Sequence, residues 1–490
     1  MDLAIWLIVL PLLTAFIMGV INFFSKKPLK TIILISSLLH ALLIIIVILN
    51  TYNNPLVYSP GDWGLLGINL VIDNFTIIML ALIALLGPLV ILYSRNYVLE
   101  NYSKYYILLS LMIAGVTGMA MTADLFNLYV FFEITSITSY ALVAIPKKDE
   151  SIEGSFKYLI LGTISGIFVL LAIILTYYTT GVLSIARVAQ EFSEIPLFLR
   201  QTIIVFFLFG FSLKFALIPL HSWLPDSYSG APLPYNVLSS GLVIKVSLLV
   251  LIRILYIIVG TQSMFELGLT DLLVYWGVLT FLIAHTTAFK QKSIIRMLAY
   301  SSIAQMGYII IAMALTTEQG LIAGSYHFIN HALMKGALFF TAGIFIMSSN
   351  QTKISSYKGL GYFLPYISVA FVAAALAIVG LPPFNGFISK WLIIEAALEA
   401  EYTLAAFFIP VGSLLSLTYY LRIFKVLYSD GDKINTPASK PPWNLQLPAF
   451  LLSGLCLLLG LFPAVILKFL DNISLFLIEN INYIDILLGG

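Results

Sequence analysis

Apolar stretches of about 18–25 residues follow one another from end to end of this chain, and few folds can absorb them. Each is long enough to cross a hydrocarbon core of about 30 Å. Lipid offers no partners to backbone N–H and C=O groups, so only helices or closed barrels can span it. A barrel would show alternating segments of about 10 residues, and these runs are continuous. The chain therefore reads as an all-α polytopic membrane protein. Fourteen spans are expected, near 3–22, 29–50, 71–93, 105–122, 124–145, 155–179, 201–221, 233–257, 269–289, 294–315, 320–348, 363–398, 402–428 and 446–469. The N-terminal run has no basic residue before it, so it reads as the first span and not as a cleaved signal. The tail at 473–490 is apolar with Glu479 and Asp485 and is expected at the interface.

Loop charge gives the orientation. One set of connections carries 16 basic residues: Lys26, Lys27, Lys30, Arg95, Lys104, Lys147, Lys148, Lys290, Lys292, Arg296, Lys353, Lys358, Arg422, Lys425, Lys433 and Lys440. The alternate connections hold chiefly Arg187, Arg200, Arg253 and Lys468 among many acids. The basic side is expected in the cytoplasm of a prokaryotic cell, with both termini outside. The longest inside linker is 429–444. Cys456 is the one cysteine, so no cysteine cluster can hold iron–sulfur or zinc. No cofactor is expected in this chain, and any redox centre must lie on another polypeptide.

Two spans look broken. The seventh reads LKFALIPLHSWLPDSYSGAPLP and the twelfth AIVGLPPFNGFISKW. Proline removes a backbone donor and clashes with the preceding turn, and such breaks in corresponding places of two halves point to an ion path. Lys157 and Lys335 also stand 178 residues apart, close to the 176 that separate Lys214 from Lys390. Together these features suggest two inverted five-helix repeats. The expected divisions are 1–100 (helices 1–3), 101–260 (helices 4–8), 261–428 (helices 9–13) and 429–490 (linker, helix 14 and tail).

Ionisable residues inside the spans carry the functional signal. A charge at mid-bilayer costs about 2.5–3.5 kcal/mol on insertion scales, yet Lys214, Lys245, Lys335 and Lys390 lie in apolar runs, as does Glu133. Burial disfavours the charged form of any such group and an opposite charge restores it, so an acid near several lysines can hand protons on. A static Glu133–Lys214 pair, or a lysine snorkelling to the interface, is the plainer reading of each alone. Lys390 follows its helix break, where a helix N-terminus disfavours a cation; snorkelling or pairing with Glu395 is its alternative. His327, His331 and Lys335, spaced by four, share one helix face. They fit a proton relay, a polar stripe or, with a third ligand that the sequence does not supply, a metal site. His221 and Asp226 flank the first break as a candidate entrance or as loop caps. His40 and His285 read as packing or interfacial residues, and Asp124 as a helix N-cap.

The stretch from LKFALIPLHSW to LVIKVSLLVLIR, with YHFINHALMKGALFF, GLPPFNGFISKW and FNLYVFFEITSITSY, resembles the antiporter-like membrane subunits shared by respiratory complex I, Mrp-type Na+/H+ antiporters and energy-converting membrane-bound hydrogenases. The resemblance covers roughly 100–400. It implies fourteen helices, two inverted repeats and a hydrated polar axis. Glu133 would pair with Lys214, Lys245 would connect the halves, His327, His331 and Lys335 would be central relay groups, and Lys390 the terminal lysine. Ser239 and Ser240 stand where some members have histidine, and residue 390 is lysine where another has glutamate; both departures favour the D-type Mrp subunit or its counterpart in a hydrogenase or related oxidoreductase. The implied partners are other membrane subunits, with an iron–sulfur or hydrogenase-type peripheral arm in the redox branch, together with H+, Na+ in the exchange branch, and the lipid bilayer. Nucleic acid is not implied. The alternatives are a stand-alone secondary transporter of an organic solute and a purely structural membrane subunit.

Overall fold

The computed structural model describes residues 3–51, 55–62, 67–97, 101–429 and 441–470. Most of the 429–444 linker and the whole 473–490 tail fall outside these. Among the described residues, thirteen helices are long and apolar enough to cross a membrane. They match the expected spans except the twelfth, which is divided into Pro365–Val379 and Asn385–Glu399. With that divided helix counted once, the described residues supply fourteen candidate crossings.

The seventh span is also broken. Its first part, Leu197–Lys214, ends on the lysine; the chain then unwinds and resumes as Trp223–Gly230. The eighth, Leu233–Val259, is buried along its whole length and forms the centre of the bundle. It is wound loosely (as π-helix) at Ser239–Val243 and Ile254–Val259. Such turns occur often at functional positions, and the first ends two residues before Lys245. The first two spans are peripheral, with Phe16, Phe23, Leu38 and Leu49 among their exposed side chains.

Local chemistry fixes several helix starts. The Asp73 carboxylate accepts from the Thr76 amide at 2.6 Å and Asp124 from the Asn127 amide at 2.8 Å, so Asp124 is the N-cap expected of it. In the twelfth span the chain stops at Gly380, whose φ of 90° suits glycine. Gly386 then packs so closely on the first half-helix that a methyl group there would meet the Ala377 carbonyl oxygen at 1.8 Å. That contact lays the second half-helix against the end of the first.

Arg253 is a correction. It reads from sequence as a charge of an outer connection, but it is buried inside the bundle. Its guanidinium binds both Asp73 carboxylate oxygens at 3.0 and 2.8 Å, Thr76 Oγ1 at 2.8 Å and the Ala120 carbonyl at 2.8 Å. The pair is 2% and 0% exposed, and it ties the third and fourth spans to the eighth.

Candidate functional site

The four intramembrane lysines are all buried, and none of them forms an ion pair among the described residues. Each ammonium is held by oxygen atoms instead, and those of Lys214, Lys245 and Lys390 also lie over aromatic rings. Lys214 Nζ donates to Ser136 Oγ at 2.7 Å and sits about 5 Å from the ring centres of Phe132, Tyr140 and Tyr158. Lys245 Nζ donates to the Phe328 carbonyl at 2.7 Å and lies 4.2 Å from that ring. Lys335 Nζ donates to the Leu298 carbonyl at 2.9 Å.

Lys390 departs from the sequence reading in its environment. It follows a helix N-terminus, but its side chain turns back to the Ile378 and Val379 carbonyls, each at 3.0 Å, and to Ser413 Oγ at 3.0 Å. It thus lies at the C-terminal, electronegative end of the first half-helix, where a cation is favoured. It neither snorkels nor pairs with Glu395, which accepts from Trp391. Lys157 and Lys335 are unlike in their surroundings. Lys335 is buried, whereas Lys157 is only half-buried and ion-paired with Glu153 and Asp226 at 2.6 and 2.7 Å, so their matching offset reflects no shared environment.

The Glu133–Lys214 pair expected from sequence is not a direct contact. Ser136, one turn further along the fifth helix, takes the ammonium. Lys214 still acts on Glu133 electrostatically, and the Tyr129 hydroxyl lies near its carboxylate. Glu133 is only half-buried in the single chain.

The eleventh helix gathers the central groups. His327 bonds Ser389 Oγ through Nδ1 and Gln305 Oε1 through Nε2, both at 2.9 Å. The amide oxygen only accepts, so Nε2 carries the proton in the neutral ring and Nδ1 accepts from the serine. Lys245 and Lys390 both act on His327 electrostatically, so this histidine lies within reach of the two lysines. Both nitrogens of His331 are buried without a hydrogen-bond partner among the described residues. With both His327 nitrogens engaged, the two histidines do not converge on a metal ion.

A group that sequence reasoning missed lies between Lys214 and Lys245. The hydroxyls of Ser139, Tyr158, Tyr228, Tyr235 and Ser239 are buried, and none makes a well-formed hydrogen bond. They are close enough to influence one another. Tyr158 stacks on Trp223 with ring centres 4.0 Å apart and faces the Lys214 ammonium. Ser239 opens the loosely wound turn before Lys245. The cluster thus reaches from the ring that faces Lys214 to the loosely wound turn of the helix that carries Lys245. Sequence offered one signal for it, the serines at 239 and 240.

The two candidate entrance residues separate. Asp226 accepts from Lys157 and Arg296 and lines a cavity of about 160 Å³ with Glu150, Glu153, Ser229, Ser293 and Thr352. This cavity opens on the basic face and joins the seventh-span break to the start of the tenth span. His221 lies apart from that lining, bonding the Pro219 carbonyl at 3.3 Å and meeting the edge of Tyr300. His40, read as a packing residue, bonds the Leu7 carbonyl at 2.8 Å, the oxygen whose helical donor is removed by Pro11.

Comparison with known proteins agrees with this architecture. The family model described as NADH:quinone oxidoreductase/Mrp antiporter, transmembrane, matches residues 122–416. The chain is 36% identical to the N-type subunit of an NADH-quinone oxidoreductase from Desulforudis audaxviator (strain MP104C), over 84% of each chain. It is 31% identical to the D-type subunit of a Na(+)/H(+) antiporter from Alkalihalophilus pseudofirmus, over 93% of each. A chain in the structure of the membrane-bound sulfane sulfur reductase, an archaeal respiratory membrane complex, superimposes with a TM-score of 0.94 at 33% identity, covering 99% of this chain and 100% of that one. The similarity thus extends to both antiporter and oxidoreductase subunits.

Proposed function

We propose that this chain, which belongs to the NADH:quinone oxidoreductase/Mrp antiporter transmembrane family, moves protons through the membrane as one subunit of a multi-subunit complex. The observation that carries the reading is the buried series Lys214, Lys245 and Lys390, joined by groups that exchange or bind protons. The hydroxyl cluster stands between the first two lysines, and His327, on which Lys245 and Lys390 both act, stands between the second and the third. A lysine held by neutral oxygens in a low-dielectric interior gives up its proton far more readily than one in water. The arrival of a proton at one lysine disfavours the charged state of the next, which drives stepwise transfer.

A repeated local geometry supports two related halves. Lys214 lies over the Phe132 ring at 5.1 Å, and Lys390 lies over the Tyr308 ring at 4.8 Å. Both pairs are 82 residues apart in sequence. Entry is assigned to the Asp226 cavity on the basic face, and release to the Lys390 side. The basic face is cytoplasmic by the positive-inside rule, which puts both termini outside the cell membrane.

The half-buried Glu133 supports a partner. A carboxylate at membrane depth is not left facing hydrocarbon, so a neighbouring subunit covers this face of the fifth and sixth helices with polar groups. The driving process lies in such partners, as Na+ exchange or as electron transfer in a peripheral arm. Each elementary charge moved against 100 mV requires about 2.3 kcal/mol. A stand-alone solute carrier would need a shaped binding site, whereas here the charges are strung across separate spans. Native mass spectrometry of the detergent-extracted protein is expected to show it bound to several other membrane subunits, and vesicles holding that particle are expected to move protons. A chain that runs alone would overturn the assignment.

A further inference from the structure

His285 stands outside the series described above, yet both of its ring nitrogens are engaged. It is buried on the ninth helix, Leu269–Lys290. Its Nδ1 meets Tyr419 Oη and its Nε2 meets Tyr308 Oη, both at 3.1 Å. A neutral imidazole donates from one nitrogen and accepts at the other, so the ring bridges two hydroxyls in either of two tautomers. Beyond Tyr419, the Ser301 hydroxyl is close to both Tyr419 and Tyr420 and bonds Tyr420 Oη at 3.1 Å. Ser301 lies one turn from Leu298, whose carbonyl holds Lys335. On the other side, the Tyr308 ring lies beneath Lys390 Nζ, and Lys390 also binds Ser413. Gly412, beside that serine, leaves the space that the Tyr308 hydroxyl fills: a methyl group there would lie 2.1 Å from it. Lys335 and Lys390 both act on His285 electrostatically.

We infer that His285 is a second relay histidine, carrying protons between Lys335 and Lys390 through Ser301, Tyr419 and Tyr308. This inference rests on the proton-transport reading above. In one passage Tyr419 Oη gives its proton to Nδ1 and regains one from Ser301, which is reprotonated by the Lys335 ammonium as that side chain leaves the Leu298 carbonyl. Nε2–H gives its proton to Tyr308 Oη, and the Tyr308 proton passes to the neutral Lys390 amine as that side chain leaves its carbonyl partners. Only O–H and N–H bonds are exchanged, and the ring ends in the opposite tautomer, which the return of the hydroxyl chain resets.

The test is His285→Gln in the whole complex, reconstituted in vesicles with proton movement followed by a pH-sensitive dye. Glutamine can bond both tyrosines but cannot take a proton on one atom and release it from another. Proton flux is expected to fall roughly tenfold or more, with a larger solvent deuterium isotope effect than the unaltered complex. Should His285→Gln fail to assemble, Tyr308→Phe, which removes one hydroxyl, is judged by the same two readouts. Unchanged flux, or slower flux with an unchanged isotope effect, overturns the inference. Lys390→Ala is measured beside it. If that variant still transports, the proton-transport reading itself fails; if it is dead while His285→Gln is fully active, only the second relay falls.

Discussion

Lys214→Ala is expected to abolish proton transport while leaving the complex assembled. The lysine is buried at the end of its half-helix, donates to Ser136 and is surrounded by three aromatic rings. Alanine removes the proton carrier nearest the seventh-span break, and with it the cation that acts on Glu133. Loss of a group that transfers protons directly costs on the order of 10²–10⁴ in rate. Arginine at this position separates the roles. A static cation that only holds the packing would be replaced tolerably by arginine, which stays charged and keeps its donors. A carrier would not, because a guanidinium does not release its proton in this range. Both Lys214→Ala and Lys214→Arg should therefore be inactive in vesicle flux assays. Recovery by arginine would assign Lys214 a structural role.

The largest loss of stability is expected from Asp73→Ala. The substitution leaves the Arg253 guanidinium buried, with only the Ala120 carbonyl and the Thr76 hydroxyl to meet it. Breaking a buried pair by removing one partner costs about 3–5 kcal/mol, and the lost helix cap adds about 1 kcal/mol. The purified complex should melt at markedly lower temperature and in lower yield. Replacing both partners, Asp73→Ala with Arg253→Met, should recover much of the loss, since a buried pair exchanged for apolar groups is often close to neutral. A single variant as stable as the unaltered protein would show that water reaches this pair.

The parts of this molecule legible from sequence are those that the membrane makes costly. Span lengths and the two breaks follow from hydrophobic runs interrupted by Pro219, Pro225, Pro382 and Pro383, because lipid leaves the backbone few alternatives. Lys214, Lys245 and Lys390 are conspicuous because a charge in that setting needs a reason. What the sequence conceals are partnerships between distant positions. Arg253 resembles a loop charge because it lies near a span end, and its partner Asp73 is 180 residues away. Lys390 sits after a helix start, but only the folded chain shows it reaching back to the carbonyls of the half-helix before it. The hydroxyls of Tyr158, Tyr228 and Tyr235 follow no spacing rule, and tyrosine is ordinary in such helices. His285 reads as an isolated residue close to Lys290 until the fold brings Tyr308 and Tyr419 to its two nitrogens.

Burial, and not positive charge as such, is what makes a lysine a carrier here. The most direct measurement is proton flux into vesicles holding the whole complex, with Lys245→Ala compared against Lys292→Ala. Lys245 is buried at the centre of the bundle against Phe328, whereas Lys292 is exposed on the basic face. Flux should stop in the first variant and remain near the unaltered rate in the second, with the same subunits present in both. Normal flux in an assembled Lys245→Ala complex would contradict the proton path.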